Sequence, residues 1–406
     1  MNTPQKELIV LDVKPGIHME SQSGIAQLWP KIYGAIVRAK DRRTAAIVMH
    51  PASNFMGHYL LEPMAAAGIT MLGLNSRYLN NDSQLIMERV LQDLGAGVRY
   101  LREQGYEKVL LIGNSGGAAL ASYYQAQAEN FTATHTPAGD PTGLSPADLP
   151  PVDGIVLTAA HPGRSRLFSD WLDPSVIDER DPYSANPALD MFNPANGPAY
   201  SPEWLAQYRA AQLARNERIE QWARAQLAYI RAMPVPVRDM AFLIYRTAAD
   251  PRHLDPSLDP NDRPAGSNIW GDPREVNYGA NNIGRYTTIT AYLSQWAPST
   301  KADGPSNLIE TSIPVLSIEH TADASVVPAM NTLWQSRQPG RITRHELKGV
   351  LITSPASLRR WTRPWRPSKA GRNAFSERQS SHRQPKQKRV PRDPLLLWLL
   401  LTAWCH

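Results

Sequence analysis

One cysteine in 406 residues, Cys405, leaves no partner for an internal disulfide. The fold must therefore be held by its core rather than by cross-links. No apolar run reaches the roughly 18 residues that a membrane-spanning helix needs. The opening MNTPQKELIVLDVK has no basic stretch followed by an apolar one, so no secretory signal is expected and the chain reads as a cytoplasmic protein. A phosphate-cradling Gly-rich loop, a metal-spaced His/Cys cluster and a dinucleotide fingerprint are all missing, and no cofactor is expected. No internal repeat is evident. What is present is 42% hydrophobic and 20% charged residues, enough for a large core.

The net charge of +6 is unevenly placed. Residues 351–406 hold 12 Lys and Arg against 2 Asp and Glu, whereas the first 350 residues hold 31 against 35. A basic isoelectric point alone would suggest nucleic acid, but the bulk of the chain is mildly acidic. The expected partner is a small-molecule substrate, with neither nucleic acid nor membrane. The competing reading is a polyanion site in the tail, where Trp361, Trp365 and Arg366 could stack and neutralise phosphate.

The first 160 residues alternate between two patterns. Leu8–Leu11, Ile36–Val37, Ala45–Met49, Thr70–Leu74, Lys108–Ile112 and Gly154–Leu157 are short apolar runs that predict buried strands. Between them, Met64–Ala67 predicts a helix closed by Gly68. Asp82 or Ser83 is the expected cap of a helix striped by Met87, Val90, Leu91, Leu94, Val98 and Leu101. Residues 116–127, rich in Ala, predict another helix. Continuous apolar strands between amphipathic helices predict a mostly parallel sheet covered by helices on both faces. Residues 161–200 and 250–310 are irregular. A long helix is expected near 203–232, with Ile219, Trp222, Ala223, Leu227 and Ile230 on one face. Ala241–Tyr245, Pro314–Ile318 and Ile342–Leu347 read as later strands.

The informative motif is Gly113-Asn114-Ser115-Gly116-Gly117, which follows an apolar strand and opens a small-residue helix. A serine on a sharp strand-to-helix turn needs small neighbours to expose its hydroxyl. The helix N-terminus behind it favours negative charge, and the N–H of Gly116 can meet a developing oxyanion. The competing reading is an ordinary Gly-rich turn.

On these residues the chain resembles the α/β-hydrolase superfamily over about residues 30–128, 152–160 and 312–350. The resemblance implies an α/β fold with a mostly parallel sheet and a cap or lid insertion. It divides the chain into a core at 1–160, a cap at 161–310, the rest of the core at 311–350 and a basic, disordered tail at 351–406. It also implies a triad in the order Ser, Asp or Glu, His. Ser115 is the implied nucleophile. Asp323, in Ile318-Glu319-His320-Thr321-Ala322-Asp323, is the implied acid, with Asp250 as competitor. The second oxyanion donor is implied in the loop after His50-Pro51. Pro51 has no N–H, so Ala52 or Ser53 becomes the candidate beside Gly116.

The departure is the base. Past Lys348-Gly349, where the superfamily places its histidine, the chain reads Val350-Leu351-Ile352-Thr353-Ser354. His50 reads as structural, His161 is out of chain order, His345 lies within a strand, and His382 and His406 lie in the basic tail. The expected activity is hydrolysis of an ester, thioester or amide of a small to mid-sized organic acid by a Ser-His-Asp mechanism, impaired here by loss of the histidine; carbon–carbon bond hydrolysis stays open. The alternative is an inactive relative that acts, if at all, by binding. The abrupt change of composition near Val350 suggests that the tail is translated out of the ancestral frame. With Ile352 encoded ATC, the neighbouring frame reads CAC, histidine, at that boundary. A genuine divergent tail is the competing reading.

Overall fold

A computed structural model describes residues 5–16, 21–22, 25–26, 30–266, 268–337 and 340–351. The tail from residue 352, with His382, His406 and Cys405, lies outside the described residues, and so do the expectations attached to it.

Eight strands form one sheet: β1 (Lys6–Asp12), β2 (Lys31–Val37), β3 (Thr44–His50), β4 (Thr70–Asn75), β5 (Lys108–Asn114), β6 (Gly154–Thr158), β7 (Val315–His320) and β8 (Ile342–Leu347). Their spatial order is β1-β2-β4-β3-β5-β6-β7-β8. β1 with β2 and β2 with β4 pair antiparallel. All later pairs are parallel. The helices are α1 (Leu61–Ala66), α2 (Met87–Glu103), α3 (Gly117–Glu129), α4 (Arg164–Trp171), α5 (Pro202–Arg231), α6 (Pro273–Tyr278), α7 (Ile289–Gln295), α8 (Gly304–Ile309) and α9 (Pro328–Arg337).

The continuous apolar strands are buried on both faces, because alternate residues of one strand enter opposite layers. Ile47, Met49, Val109, Leu111 and Ile155 pack with the stripe of α2 and with Leu120 and Tyr124 of α3. Ala46, Val48, Leu110, Ile112, Val156, Leu316 and Ile318 enter the other layer, with Leu61, Met64 and Ala65 of α1. All six stripe residues of α2 are buried.

Three local expectations change. Asp82 opens a 3₁₀ turn, Asp82–Gln84, and the cap position of α2 is Ile86, which makes no side-chain cap bond. Trp222 is 42% exposed, so the buried face of α5 is Ile219, Ala223, Leu227 and Ile230. Ala241–Leu243 stays outside the central sheet and pairs antiparallel with Tyr286–Thr288.

Residues 161–310 carry an apolar cluster of their own. Phe168 and Leu172 meet Ile219, Ala223, Leu227 and Ile230 of α5, and Ile289, Tyr292, Leu293 and Trp296. This layer is tied to the core by polar bonds. Ser294 Oγ donates to the buried Glu88 carboxylate at 2.9 Å, and Gln295 Nε2 donates to the carbonyls of Asp82 and Leu85, each at 2.9 Å. No helix among the described residues is long and apolar enough to cross a membrane.

Candidate active site

β5 ends at Asn114, and α3 begins at Gly117. Ser115 between them has φ +54°, a left-handed conformation that costs a non-glycine residue energy and persists only where the surroundings enforce it. The surroundings do enforce it. Ser115 N–H donates to the carbonyls of Thr158 and Ala159 at 3.3 and 3.1 Å, at the end of neighbouring β6. Asn114 Nδ2 donates to Thr158 O at 3.2 Å.

The flanking glycines are sterically required. A Cβ at Gly113 would sit 2.5 Å from Ala118 Cα, and one at Gly117 would sit 2.2 Å from Met49 O. Both obstacles are backbone and cannot step aside. Gly117→Ala is therefore expected to lower stability by at least about 3 kcal/mol. Gly57→Ala, where a Cβ meets nothing within 4 Å, is expected to leave it nearly unchanged. Urea denaturation of the two variants side by side checks this.

Ser115 lines a cavity of about 490 Å³ at the carboxyl edge of the parallel strands. Two histidines stand beside it. A Cβ at Gly116 would lie 2.7 Å from His50 Nε2 and 3.2 Å from His161 Nε2. Burial, together with the charge of Arg164, pushes His50 well below the usual imidazole range and His161 down to about 4. Both rings are therefore neutral at pH 7.

The loop after β3 brings Ala52 and Ser53 to the cavity. Their N–H groups, however, donate to Nδ1 of His50, at 3.2 and 3.0 Å. The two amides expected to meet an oxyanion are thus occupied in this structure. They fix instead the tautomer of His50, leaving its Nε2 to carry the proton. Gly116 N–H makes no hydrogen bond among the described residues. Sequence reasoning favours a structural over a catalytic role for His50; the cue that it sits at the elbow is its place as the last residue of a strand adjacent to β5.

Asp323 follows β7 and lies buried. Oδ1 accepts the N–H groups of Ser325 and Val326 at 2.7 and 3.1 Å. Oδ2 is buried with no partner among the described residues. Burial pushes the carboxyl up to about 6 against the pull of those two amides. Tyr59 stands near it: burial, and behind it the Asp323 charge, push the phenol up to about 12.

Asp250 has a different setting. It caps the turn Pro251–His253 and is bound by Arg209 Nη2 at 2.7 Å and Arg252 Nη2 at 2.6 Å. Burial would raise it, but the charges of Arg209 and Arg252 outweigh burial and hold it well below the usual range. Both of its oxygens are engaged by arginine. His345 lies inside β8, in register with Ile318, short of the carboxyl edge.

Residues 161–310 add Arg164, Leu167, Trp171, Ile269, Trp270, Ile283 and Trp296 to the cavity wall, and Asn54, Asn80, Asp82 and Ser325 complete it. Trp171 and Trp270 meet edge to face, with centroids 5.5 Å apart. Among the described residues no group of three acidic, His or Cys side chains could hold a metal ion.

No family model matches the sequence, and no curated protein matches it. Solved structures do align with the chain. A monoacylglycerol lipase of Paleococcus ferrophilus aligns at 13% identity over 79% of this chain and 90% of its own, with a TM-score of 0.38. An esterase of Pyrococcus furiosus aligns at 11% identity over 88% and 87%, with a TM-score of 0.41. The DcsB protein, in complex with its substrate analogue, aligns at 14% identity over 87% and 95%, with a TM-score of 0.44. Likeness of this order does not bear on activity. The strand order, with two antiparallel strands leading into a parallel run, and the strained serine between β5 and α3 decide the architecture. The chain has the α/β-hydrolase fold. Within that fold the elbow serine, the β6 edge with His161, and the β7 edge with Asp323 occupy neighbouring positions along one rim.

Proposed function

We propose that the protein is a serine hydrolase of the α/β-hydrolase fold, acting on an ester, thioester or amide of a small to mid-sized organic acid. The observation that carries this reading is Ser115 at φ +54° between a buried strand and a helix, on the wall of a cavity. Ser115 attacks the acyl carbonyl. Gly116 N–H and the Nε2–H of neutral His50 meet the oxyanion, and both approach from the side of the elbow where α3 begins. Asp323 offers Oδ2 to a histidine base that would take the Ser115 proton; no histidine follows Lys348-Gly349 in this sequence, so turnover by this chain is expected to be impaired. Residues 161–310 act as a cap that shapes the acyl pocket.

A second reading is favoured by one specific observation. The inward oxygen of Asp323 meets no partner among the described residues, so a chain with no histidine there binds acyl compounds without turning them over. A fluorophosphonate probe separates the two. Labelling of Ser115 that disappears in Ser115→Ala supports the hydrolase. Absence of labelling in the folded chain leaves the binding protein.

A further inference from the structure

We infer that the cavity recognises an anionic acyl compound, and that Arg164 is the residue that takes its carboxylate. This rests on the hydrolase reading and deepens it, since it names the substrate class of the same site: the half-ester of a dicarboxylic acid, or an equivalent ester carrying one free carboxylate.

Arg164 opens α4 and lines the cavity that holds Ser115. Its side chain is only 9% exposed, and its guanidinium lies 4.8 Å over the ring of Trp296. The fork is used on one side only. Nη1 donates to Gln295 Oε1 and to Asp82 Oδ2, the latter at 3.3 Å. Nε and Nη2 make no hydrogen bond among the described residues. That free edge presents two parallel N–H donors, the geometry that a carboxylate fits with two bonds.

The charge is only partly met. Asp82 is the one acidic residue lining the cavity among the described residues; it is 39% exposed and pairs with Nη1 alone, at 3.3 Å. A buried guanidinium with a single weak carboxylate partner keeps an unmet demand for an anion. The two histidines that line the same cavity stay neutral, so they neither compete for the anion nor add a second positive centre. Trp171, Trp270, Ile269 and Ile283 wall the space with apolar surface. The cavity therefore brings a carboxylate clamp, apolar wall surface and a nucleophile together in a volume of about 490 Å³.

The full-length chain carrying Ser115→Ala allows binding to be read without turnover. It is titrated calorimetrically with monomethyl terephthalate and with dimethyl terephthalate, which differ by one free carboxylate. The half-ester is expected to bind at least about tenfold more tightly, with an affinity that falls as salt rises. Adding Arg164→Gln is expected to abolish that preference. Arg164→Lys, which keeps the charge and loses the fork, is expected to retain only part of it. Equal binding of the two esters, or no binding of the half-ester, overturns the proposal whether or not the Arg164 variants fold. A preference that survives in a folded Arg164→Gln chain also overturns it. The hydrolase reading fails separately: half-ester preference without fluorophosphonate labelling of the parent chain leaves a carboxylate-binding protein, and labelling without the preference removes the anion site alone.

Discussion

Re-encoding the segment after Val350 in the neighbouring frame is expected to raise ester hydrolysis by on the order of 10⁴–10⁶. That is the scale on which a triad loses rate when one member is missing. Two independent observations meet at this point. In the sequence, composition changes abruptly near Val350, just where a histidine is due. In the structure, the chain at that point runs alongside the turn that carries Asp323. Thr321 N–H donates to Leu347 O at 3.1 Å, and Ala322 N–H donates to Val350 O at 3.2 Å. Gly349 N–H donates to Thr321 Oγ1 at 2.8 Å. In a re-encoded chain, a histidine two or three positions past Val350 is expected to meet the carboxyl whose Oδ2 has no partner among the described residues. The codons allow the reading. The last base of Ile352 with the first two of Thr353 spells CAC if Ile352 is ATC, and the flanking codons can supply Asn or Asp before it and Phe after it. Sequencing the coding DNA around codon 350 and assaying both proteins with a short-chain ester decide the matter. Brisk hydrolysis by the present chain would sink the idea, as would a neighbouring frame that holds no histidine there.

The fold is legible in the sequence because its signals are local and repeated. Runs such as Ala45–Met49 and Lys108–Ile112 are short and flanked by turn signals, which favours strands buried on both faces, and the steps of three and four in α2 favour one helix face. Ser115 is legible for the same reason: strand, glycine pattern and helix are contiguous in the chain. The wall of the cavity is not. Arg164, Trp171, Trp270 and Trp296 are drawn from a stretch of more than a hundred residues whose spacing has no period, and only tertiary packing brings them together. Trp222 shares the periodic face of α5 yet stays exposed, because helix periodicity marks a face but not its width; α5 buries a narrow stripe. The amides of Ala52 and Ser53 escape sequence reasoning because their fate depends on a side chain two and three residues earlier. A histidine at a strand end can accept from the turn that follows it, and that competition is invisible to spacing.

Asp323→Asn is expected to flatten the pH dependence of stability, and the sign follows from burial. The carboxyl titrates near 6 in the folded chain against an ordinary value of 3.8, because burial disfavours the anion more than the Ser325 and Val326 amides favour it. The folded state therefore holds this proton more tightly than the unfolded state does. The stabilisation is fully present below about pH 4 and is lost as pH rises through about 6. The gap between the two values corresponds to about 3 kcal/mol in all, of which somewhat more than about 2 kcal/mol falls between pH 4 and pH 7.5. Asparagine keeps an oxygen for the two amides and has no proton to lose. Any fixed cost of its NH₂ group is the same at both pH values, so the difference between them isolates the titration. Urea denaturation at pH 4 and 7.5 is expected to show this pH-dependent loss in the parent chain and a profile flatter by that amount in Asp323→Asn. An unchanged slope would mean that a partner ionises Asp323, and its Oδ2 would no longer be available to a base. In the re-encoded chain the expectation reverses. A histidine beside Oδ2 gives the anion its partner, so the acid-side stability gain disappears. The same substitution then lowers kcat on the order of 10⁴, because an amide in place of the carboxylate holds the ring in the wrong tautomer. One substitution in two chains thus separates an acid that waits for its base from an acid that merely closes a turn.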